Sequence, residues 1–345
     1  MLPAEGGVTA SEGENCAMAS RAPSSAVPAG EVRRREEGKE SVHVPVLAAA
    51  VVAAFGQGRR EFFLDGTLGG GGHARAILAA FPGTELWAMD ADRTALERTG
   101  AELAQGRFHP IWENFANLDR LARREFDGIL FDLGLSSDQL DAAERGFSFR
   151  LDGPLDMRFD RSRGQSAAEF LQSAPHEELI RAVRDHGEEP HWRRVVAAIE
   201  AARGTATLTR TVPFADLLRR VLPPNFRSHI DPATRVFQGI RIAVNRELEM
   251  LERALPKALA ALRPGGVLAV ISFHSLEDRA VKQHFRSWSG LAVDCHDGRY
   301  AQDRVALGKQ LGSGPILPDA GEVRDNPRSR SARLRLFQKN WEEEL

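Results

Sequence analysis

Residues 62–73 read Phe62-Phe63-Leu64-Asp65-Gly66-Thr67-Leu68-Gly69-Gly70-Gly71-Gly72-His73, a short apolar run that ends on a carboxylate and opens into glycines. A helical pattern begins directly afterwards, at Ala74. This order is typical of the first strand, tight loop and first helix of a nucleotide-type α/β domain. Glycines allow positive φ and close approach to a ligand, and the first N–H groups of the helix are free to donate. The stretch therefore predicts a ligand-binding loop, with a glycine-rich surface turn as the alternative.

The strand-end carboxylate bears on the nature of the ligand. A dinucleotide-binding pattern fits Gly69, Gly71 and Ala74, but such a fit is common by chance. Asp65 would repel a pyrophosphate, whereas S-adenosylmethionine has no phosphate and carries a sulfonium and an ammonium. The loop therefore favours S-adenosylmethionine over a nicotinamide dinucleotide.

Composition limits the class of protein. The chain has 345 residues, of which 42% are hydrophobic and 27% charged, as in globular proteins with a large core. Its net charge of -2 provides no general attraction to nucleic acid, so any contact with RNA must come from local patches. Cys16 and Cys295 stand far apart, so neither a disulfide framework nor a metal site is expected. Without a long apolar run or a signal sequence, the expected location is the cytoplasm and no membrane contact is predicted.

The second predicted strand, Glu85 to Met89, ends in Asp90-Ala91-Asp92. In a doubly wound sheet, a carboxylate about 20 residues past the glycine loop accepts hydrogen bonds from the ribose hydroxyls. Asp90 or Asp92 fills this role, and Asp92 is the preferred candidate. Capping of the helix from Arg93 to Ala104 is an alternative role for Asp92.

Two later strands end at further candidate residues. Phe115 follows the strand Phe108 to Trp112, where an aromatic ring can cover a bound adenine; an ordinary core position is the alternative. The fourth strand, Gly128 to Phe131, ends at Asp132. Ligands in such folds bind outside the carboxyl ends of the strands, so Asp132 should face the same crevice as Asp65.

The strand pattern stops after residue 140, and residues 141–230 are predicted to form a helical insert that recognises the substrate. Ser166 to Glu169 is a capping box, and apolar residues at helical spacing recur to Leu218. The insert's first part carries five arginines, which we expect to lack local partners and to be available for phosphate groups; solvated or internally paired arginines are the alternative. These are Arg145, Arg150, Arg158, Arg161 and Arg163.

Residues 42–140 and 231–345 are predicted to be the two parts of the sheet domain, and residues 1–41 a disordered tail poor in large apolar groups. A long helix should start at Asp231-Pro232, with an apolar stripe from Val236 to Leu251. Gln238, Arg241 and Asn245 share another face, which is either solvated or part of a site. Strand five, at 267–271, precedes Ser272 to Arg279, and a basic loop at 326–333 leads into a last strand.

The sequence resembles the bacterial 16S ribosomal RNA N4-cytosine methyltransferases of the MraW or RsmH family. The resemblance runs from about His43 to Phe337 and rests on six separated motifs in the same order. They are the glycine loop from Asp65 to His73, Asp132-Leu133-Gly134-Leu135-Ser136-Ser137, Glu144-Arg145-Gly146-Phe147-Ser148-Phe149, Gly153-Pro154-Leu155-Asp156-Met157-Arg158, Ala233-Thr234-Arg235-Val236-Phe237-Gln238, and Ser272-Phe273-His274-Ser275-Leu276-Glu277-Asp278-Arg279.

The resemblance implies a fold and a set of ligand contacts. The fold is a Rossmann-like class I S-adenosylmethionine-dependent methyltransferase domain, of α/β class, interrupted by a helical domain. The substrate is 16S ribosomal RNA in the small subunit, methylated on N4 of the decoding-centre cytidine at position 1402 in the usual numbering of that RNA. Contacts with S-adenosylmethionine are implied for Gly71, Gly72, His73, Asp92, Phe115, Asp132 and Gln139, of which His73 and Gln139 rest on the resemblance alone.

Methyl transfer to an exocyclic amine is helped by acceptors that hold the amine in line with the methyl group. Asp132 is our main catalytic candidate, either accepting an amine proton or anchoring the methionine ammonium. Asn245 is the second candidate, with Ser136 and His274 as lesser ones. A nicotinamide-dependent oxidoreductase and a non-catalytic ribosome-assembly protein remain alternatives. The sequence leaves the oligomeric state open, a homodimer included.

Overall fold

A seven-stranded sheet forms the centre of the computed structural model, which describes residues 45–103, 107–223, 231–291 and 305–341. The strand order is β3-β2-β1-β4-β5-β7-β6. Neighbours from β3 to β5 pair in parallel, and β7 pairs antiparallel with both β5 and β6. The strands are β1 (Phe62–Asp65), β2 (Glu85–Asp90), β3 (Phe108–Trp112), β4 (Phe126–Asp132), β5 (Leu262–Ser272), β6 (Gly308–Gln310) and β7 (Arg333–Lys339).

Twelve α-helices lie in the described ranges. They are α1 (Ala48–Phe55), α2 (Gly72–Ala80), α3 (Arg93–Leu103), α4 (Ser137–Asp141), α5 (Ala167–Ser173), α6 (His176–Ile180), α7 (Trp192–Ala201), α8 (Thr211–Val221), α9 (Ala233–Asn245), α10 (Glu247–Ala261), α11 (Ser275–Trp288) and α12 (Ala320–Asp325). Short 3-10 turns cover Phe115–Arg120, Ala143–Arg145, Ala206–Leu208 and Pro327–Ser331, and a π-helical turn covers Arg181–His186. None of these described helices is long and apolar enough to cross a membrane.

Both faces of the sheet are buried, because successive apolar side chains of a strand point to opposite faces. Leu64, Ile129 and Leu268 join one core cluster, which includes helices α10 and α11. Phe63 and Leu130 point the other way, into a cluster that includes α1 and α2. Side chains that alternate between the two faces of a sheet, with helices packed on both faces, are typical of a doubly wound fold. The expected Rossmann-like methyltransferase fold is confirmed, and the expected last strand is β7.

A separate apolar cluster holds the helical part together. Its buried residues come from α5 to α9 and from the segment 147–157. The predicted capping box at Ser166 is present at the start of α5, and it satisfies two orphan N–H groups. Helix α9, which the sequence analysis placed in the second part of the sheet domain, buries Val236, Phe237 and Ile240 in this cluster. The predicted tail, residues 1–41, lies outside the described residues.

The expected single helix with a stripe from Val236 to Leu251 is wrong. Arg246 takes a left-handed conformation, with φ 53° and ψ 38°, and separates α9 from α10. The break lets Glu247 turn back and accept two hydrogen bonds from Arg241, both 2.8 Å long. Leu251 consequently packs in the sheet domain's core and not with α9.

Candidate functional site

A cavity of about 580 Å³ opens at the carboxyl ends of β1, β2, β4 and β5, where ligands bind in doubly wound folds. One part is bordered by the glycine loop and the strand-end carboxylates. The other part reaches the helical cluster and carries four phenylalanines that belong to that cluster or pack against it, Phe147, Phe149, Phe159 and Phe237. Of the predicted site residues, Gly72, His73, Phe115, Asp132, Gln139 and Asn245 line this cavity, whereas Gly71 and Asp92 do not.

The glycine loop is held by its own backbone and by β2. Gly69 and Gly71 have positive φ, 49° and 73°, which explains glycine at both positions. The Gly69 N–H donates to Asp90 Oδ2 at 2.7 Å, and the Gly71 N–H donates to the Leu68 carbonyl at 2.7 Å. A Cβ on Gly71 would lie 2.3 Å from Thr99 Cγ2, so this glycine is required by packing within the protein. Gly70, by contrast, borders the cavity.

The buried carboxylate of Asp65, the partly exposed carboxylate of Asp132 and the buried His73 meet beside this loop. His73 Nε2 lies 3.4 Å from Asp132 Oδ2, an ion-pair distance that is long for a hydrogen bond. Asp65 Oδ2 and Asp132 Oδ1 are buried and have no hydrogen-bond partner among the described residues. The backbone N–H of Asp132 donates to Thr67 Oγ1 at 2.6 Å, which fixes the end of β4 against the loop. The site thus presents acceptors suited to a cationic ligand group.

The pKa values of this group reflect its burial. Burial raises the pKa of Asp65 from 3.8 to about 6, against the opposing influence of the His73 charge. For His73 burial acts downwards, but the carboxylate of Asp132, 3.4 Å away, and the charge of Asp65 raise its pKa above 6.5. When it is protonated, His73 partly offsets the negative charge of Asp65 and Asp132.

The two carboxylates after β2 have different surroundings. Asp90 lines the cavity, accepts from Gly69, and has its pKa raised to about 6 by burial. Asp92 faces a second cavity of about 380 Å³, where it is ion-paired with Arg145 and accepts from Gln139 Nε2 at 3.1 Å. The structure thus brings Asp90 to the ligand cavity, while the assignment of a ribose contact to Asp92 stays a prediction.

Phe115 and Gln139 border the cavity from β3 and β4. The Phe115 ring packs on Phe131 with 5.1 Å between ring centroids, so it combines a core contact with a cavity-facing one. Gln139 completes a capping box with Ser136 at the start of α4, and its amide reaches Asp92. Ser136 also borders the cavity. Both residues are placed where a cofactor contact is possible, and their contacts with S-adenosylmethionine stay predictions.

Asn245 lines the cavity, yet its amide is engaged within the protein. Its Oδ1 accepts from the Phe159 N–H at 2.8 Å, and its Nδ2 donates to the carbonyls of Met157 and Arg241 at 2.7 and 2.9 Å. Because these bonds are all internal, Asn245 is better placed to hold the 157–159 loop than to contact a reacting amine. The face shared by Gln238, Arg241 and Asn245 therefore belongs to the site.

A set of potential metal ligands lies beside the cavity, and two of its three members, Glu247 and Glu277, line it. Donor atoms of Glu247, His274 and Glu277 lie within 4.8 Å of one another. Arg241 already binds both carboxylate oxygens of Glu247, and His274 Nε2 lies 3.0 Å from Glu277 Oε1. Glu277 also accepts from the His274 N–H at 3.3 Å as part of a capping box on α11, and from the Phe273 N–H at 2.8 Å. This cluster is a buried ion network that fixes the ends of α9 and α11, and His274 is occupied there.

The expectation that the insert's arginines lack local partners is wrong for Arg158, Arg161 and Arg163, and Arg145 has a partner that is distant in sequence. Arg145 is buried and ion-paired with Asp92, and it donates to the carbonyls of Arg158 and Phe159 at 3.0 Å. Arg158 and Arg161 share Asp156, and Arg163 pairs with Asp160. Carboxylates two to five residues away in sequence provide three of these pairs, a signal that the sequence contained. Arg150 alone among the five lines the cavity and forms no ion pair with a described residue.

Comparison with known proteins places this geometry in a family. The family model described as MraW methylase matches residues 40–340. A ribosomal RNA small subunit methyltransferase H from Nitrosococcus oceani is 45% identical over 314 residues, 87% of this chain and 97% of that protein. Its namesake from Thermomicrobium roseum is 45% identical over 88% of this chain and 95% of that protein.

A solved rRNA methylase from Streptococcus thermophilus covers 85% of this chain and 93% of its own at 12% identity, with a TM-score of 0.37, too low to inform function. The family match and the curated relatives, in contrast, extend over the sheet, the glycine loop and the helical insert together. The chain therefore belongs to the MraW methylase family.

Proposed function

We propose that this enzyme methylates the exocyclic N4 amine of one cytidine of 16S ribosomal RNA, the decoding-centre cytidine that the sequence resemblance implies. The chain is an S-adenosylmethionine-dependent methyltransferase, as its family and relatives indicate. Relatives named for the small-subunit ribosomal RNA support an RNA substrate. The choice of nucleotide and of N4 is our proposal.

The observation that carries the proposal is the group of acceptors around Asp132. Asp132 Oδ1 and Asp65 Oδ2 are buried without a hydrogen-bond partner in the described part of the chain, which suits the ammonium of S-adenosylmethionine. Asp90, beside the glycine loop, can accept from a ribose hydroxyl, and Phe115 offers a ring for the adenine. The residues present therefore fit the cofactor, which supplies an electrophilic methyl group when bound.

The remaining part of the cavity suits a nucleobase. Its phenylalanines, among them Phe149 and Phe237, offer stacking surfaces for a cytosine swung out of an RNA strand. Asp132 ends β4 between the loop and this aromatic part, where its carboxylate can hold the amine or take its proton. Asn245 holds the 157–159 loop in place and is a positioning residue in this proposal.

The alternatives have less support. A nicotinamide dinucleotide would place its pyrophosphate at the glycine loop, where the carboxylates of Asp65 and Asp132, at the ends of β1 and β4, oppose it. A non-catalytic assembly factor would need no cofactor cavity lined by buried acceptors. We infer a cytoplasmic location from the proposed ribosomal substrate.

Mapping of methylated nucleotides tests the proposal. Small-subunit RNA from cells with and without the protein should differ by one N4-methylcytidine, and the purified chain should restore it with labelled S-adenosylmethionine. Naked RNA and assembled particles should be compared as substrates. A methyl group found on another base or another atom would replace the proposed specificity, and no incorporation in either substrate would sink it.

A further inference from the structure

Most of the insert's arginines form ion pairs within the protein, so few of them are available to bind RNA. Arg150 is exposed and reaches the cavity, and in the described ranges it has no ion-pair partner. Its neighbours Phe147 and Phe149 belong to the aromatic part of the cavity. A free guanidinium next to a base-sized aromatic cavity is placed for the phosphate of a nucleotide whose base enters it.

A second arginine approaches the same cavity from the C-terminal segment that follows α12. Asn326 and Arg328 border the cavity, although they lie far from the insert in sequence. The segment is anchored, because Glu322 Oε1 accepts from the Leu47 N–H at 2.6 Å and Ser329 is fully buried. These two anchors keep the segment, and Arg328 with it, next to the cavity.

Arg328 can exchange its present partner for a phosphate. Its Nη2 lies 2.8 Å from Asp141 Oδ1, and the two side chains are 40% and 66% exposed. Exposed pairs of this kind contribute little to stability, because solvent screens them. A phosphate offers the guanidinium a bidentate partner, which binds more strongly than a single exposed contact.

We propose that Arg150 and Arg328 bind the RNA phosphates that flank the flipped nucleotide, one from the insert and one from the C-terminal segment. The inference rests on the proposed function, since it takes RNA as the substrate. Because the net charge of the chain is -2, general electrostatic attraction is weak and contacts at the cavity must supply the phosphate binding. Asp141, beside Arg328, opposes this binding.

The test compares the double variant Arg150→Gln/Arg328→Gln with a matched control, Arg59→Gln/Arg124→Gln. Arg59 and Arg124 are exposed, form no ion pair with a described residue, and precede β1 and β4, at the edge of the sheet opposite the cavity. Affinity for small-subunit RNA is measured across a salt series, and affinity for S-adenosylhomocysteine is measured in parallel.

In the double variant, the slope of log affinity against log salt should fall by about one for each arginine, with affinity for S-adenosylhomocysteine unchanged. The control should keep the wild-type slope. Arg150→Lys/Arg328→Lys should retain the slope, because lysine keeps the charge, and this variant separates charge loss from misfolding. Asp141→Asn should tighten RNA binding.

A wild-type slope in the double glutamine variant would overturn the inference, as would an equal loss of slope in the control. Failure of the proposed function is a separate result, since wild-type protein would then bind or ignore the RNA without forming N4-methylcytidine. RNA binding that depends on Arg150 and Arg328 in a protein that methylates another atom would keep the phosphate contacts and replace only the chemistry.

Discussion

At the scale of single residues, Asp132 is the position where the geometry makes the sharpest prediction. Asp132→Asn is nearly isosteric, so the fold should persist, but methyl transfer should fall on the order of a hundredfold if the carboxylate acts in the transition state. The pKa of His73 should also fall, because Asp132 raises it. Single-turnover rates and NMR titration of His73 check both effects. Wild-type turnover would remove Asp132 from the reaction.

Asp65 should make stability depend on pH. Its folded pKa, about 6, lies above the ordinary 3.8, so the folded state holds the proton more tightly than the unfolded chain. That contribution is complete below pH 3.8 and is lost as pH rises towards 6, a change of roughly 3 kcal/mol. Asp65→Asn should therefore be more stable than wild type at pH 8, and less clearly so at pH 4, while binding S-adenosylhomocysteine more weakly. Equal differences in melting temperature at both pH values would contradict this account.

Two adjacent glycines should respond differently to substitution. Gly71→Ala places a Cβ 2.3 Å from Thr99 Cγ2 at φ 73°, so it should destabilise the fold by about 1 to 3 kcal/mol. A Cβ on Gly70 meets only Asp138 Oδ2, at 3.7 Å, so Gly70→Ala should fold normally and weaken cofactor binding by crowding the cavity. Urea unfolding and calorimetric titration separate the effects. Normal cofactor affinity in Gly70→Ala would show that the cofactor lies elsewhere.

At the scale of elements, apolar runs ending in Asp65 and Asp132 predicted β1 and β4, because buried parallel strands read as continuous hydrophobic segments. The break between α9 and α10 left no such signal. Its left-handed residue is Arg246, where glycine or asparagine would ordinarily mark the end of a helix. The break depends on contacts that form only in the folded chain, such as the hydrogen bond that the Phe159 N–H donates to Asn245 Oδ1.

Arg145 joins three elements, and its loss should be a stability defect before it is an RNA defect. The guanidinium pairs with Asp92 after β2 and binds two carbonyls of the 157–159 loop. Arg145→Gln leaves Asp92 buried without its cation, which should cost about 3 to 5 kcal/mol. Arg163→Gln, in an exposed pair with Asp160, is the control and should cost about 1 kcal/mol or less. Near-wild-type urea unfolding of Arg145→Gln, with RNA binding lost, would restore the phosphate role predicted from sequence.

At the scale of the whole molecule, the sequence located the carboxyl-end crevice but not everything that surrounds it. Strand order brings Asp65, Asp90 and Asp132 together, and that order follows from the alternation of strands and helices. Arg328 pairs with Asp141 across 187 residues, a contact that no local pattern encodes. The choice of Asp92 over Asp90 also depended on side-chain direction, which composition and spacing do not reveal.

The whole chain should respond to ligands as a methyltransferase does. S-adenosylhomocysteine at a hundredfold excess over its dissociation constant should stabilise the fold by about 2.7 kcal/mol and raise the melting temperature, because it binds only the folded cavity. NAD should not, since its pyrophosphate would meet the carboxylates of Asp65 and Asp132 at the ends of β1 and β4. Gly70→Ala serves as the control and should reduce the shift by S-adenosylhomocysteine without lowering the melting temperature of the free protein. Equal shifts by the two ligands would mean that the carboxylates do not select the cofactor, and the assignment of the glycine loop would have to be revised.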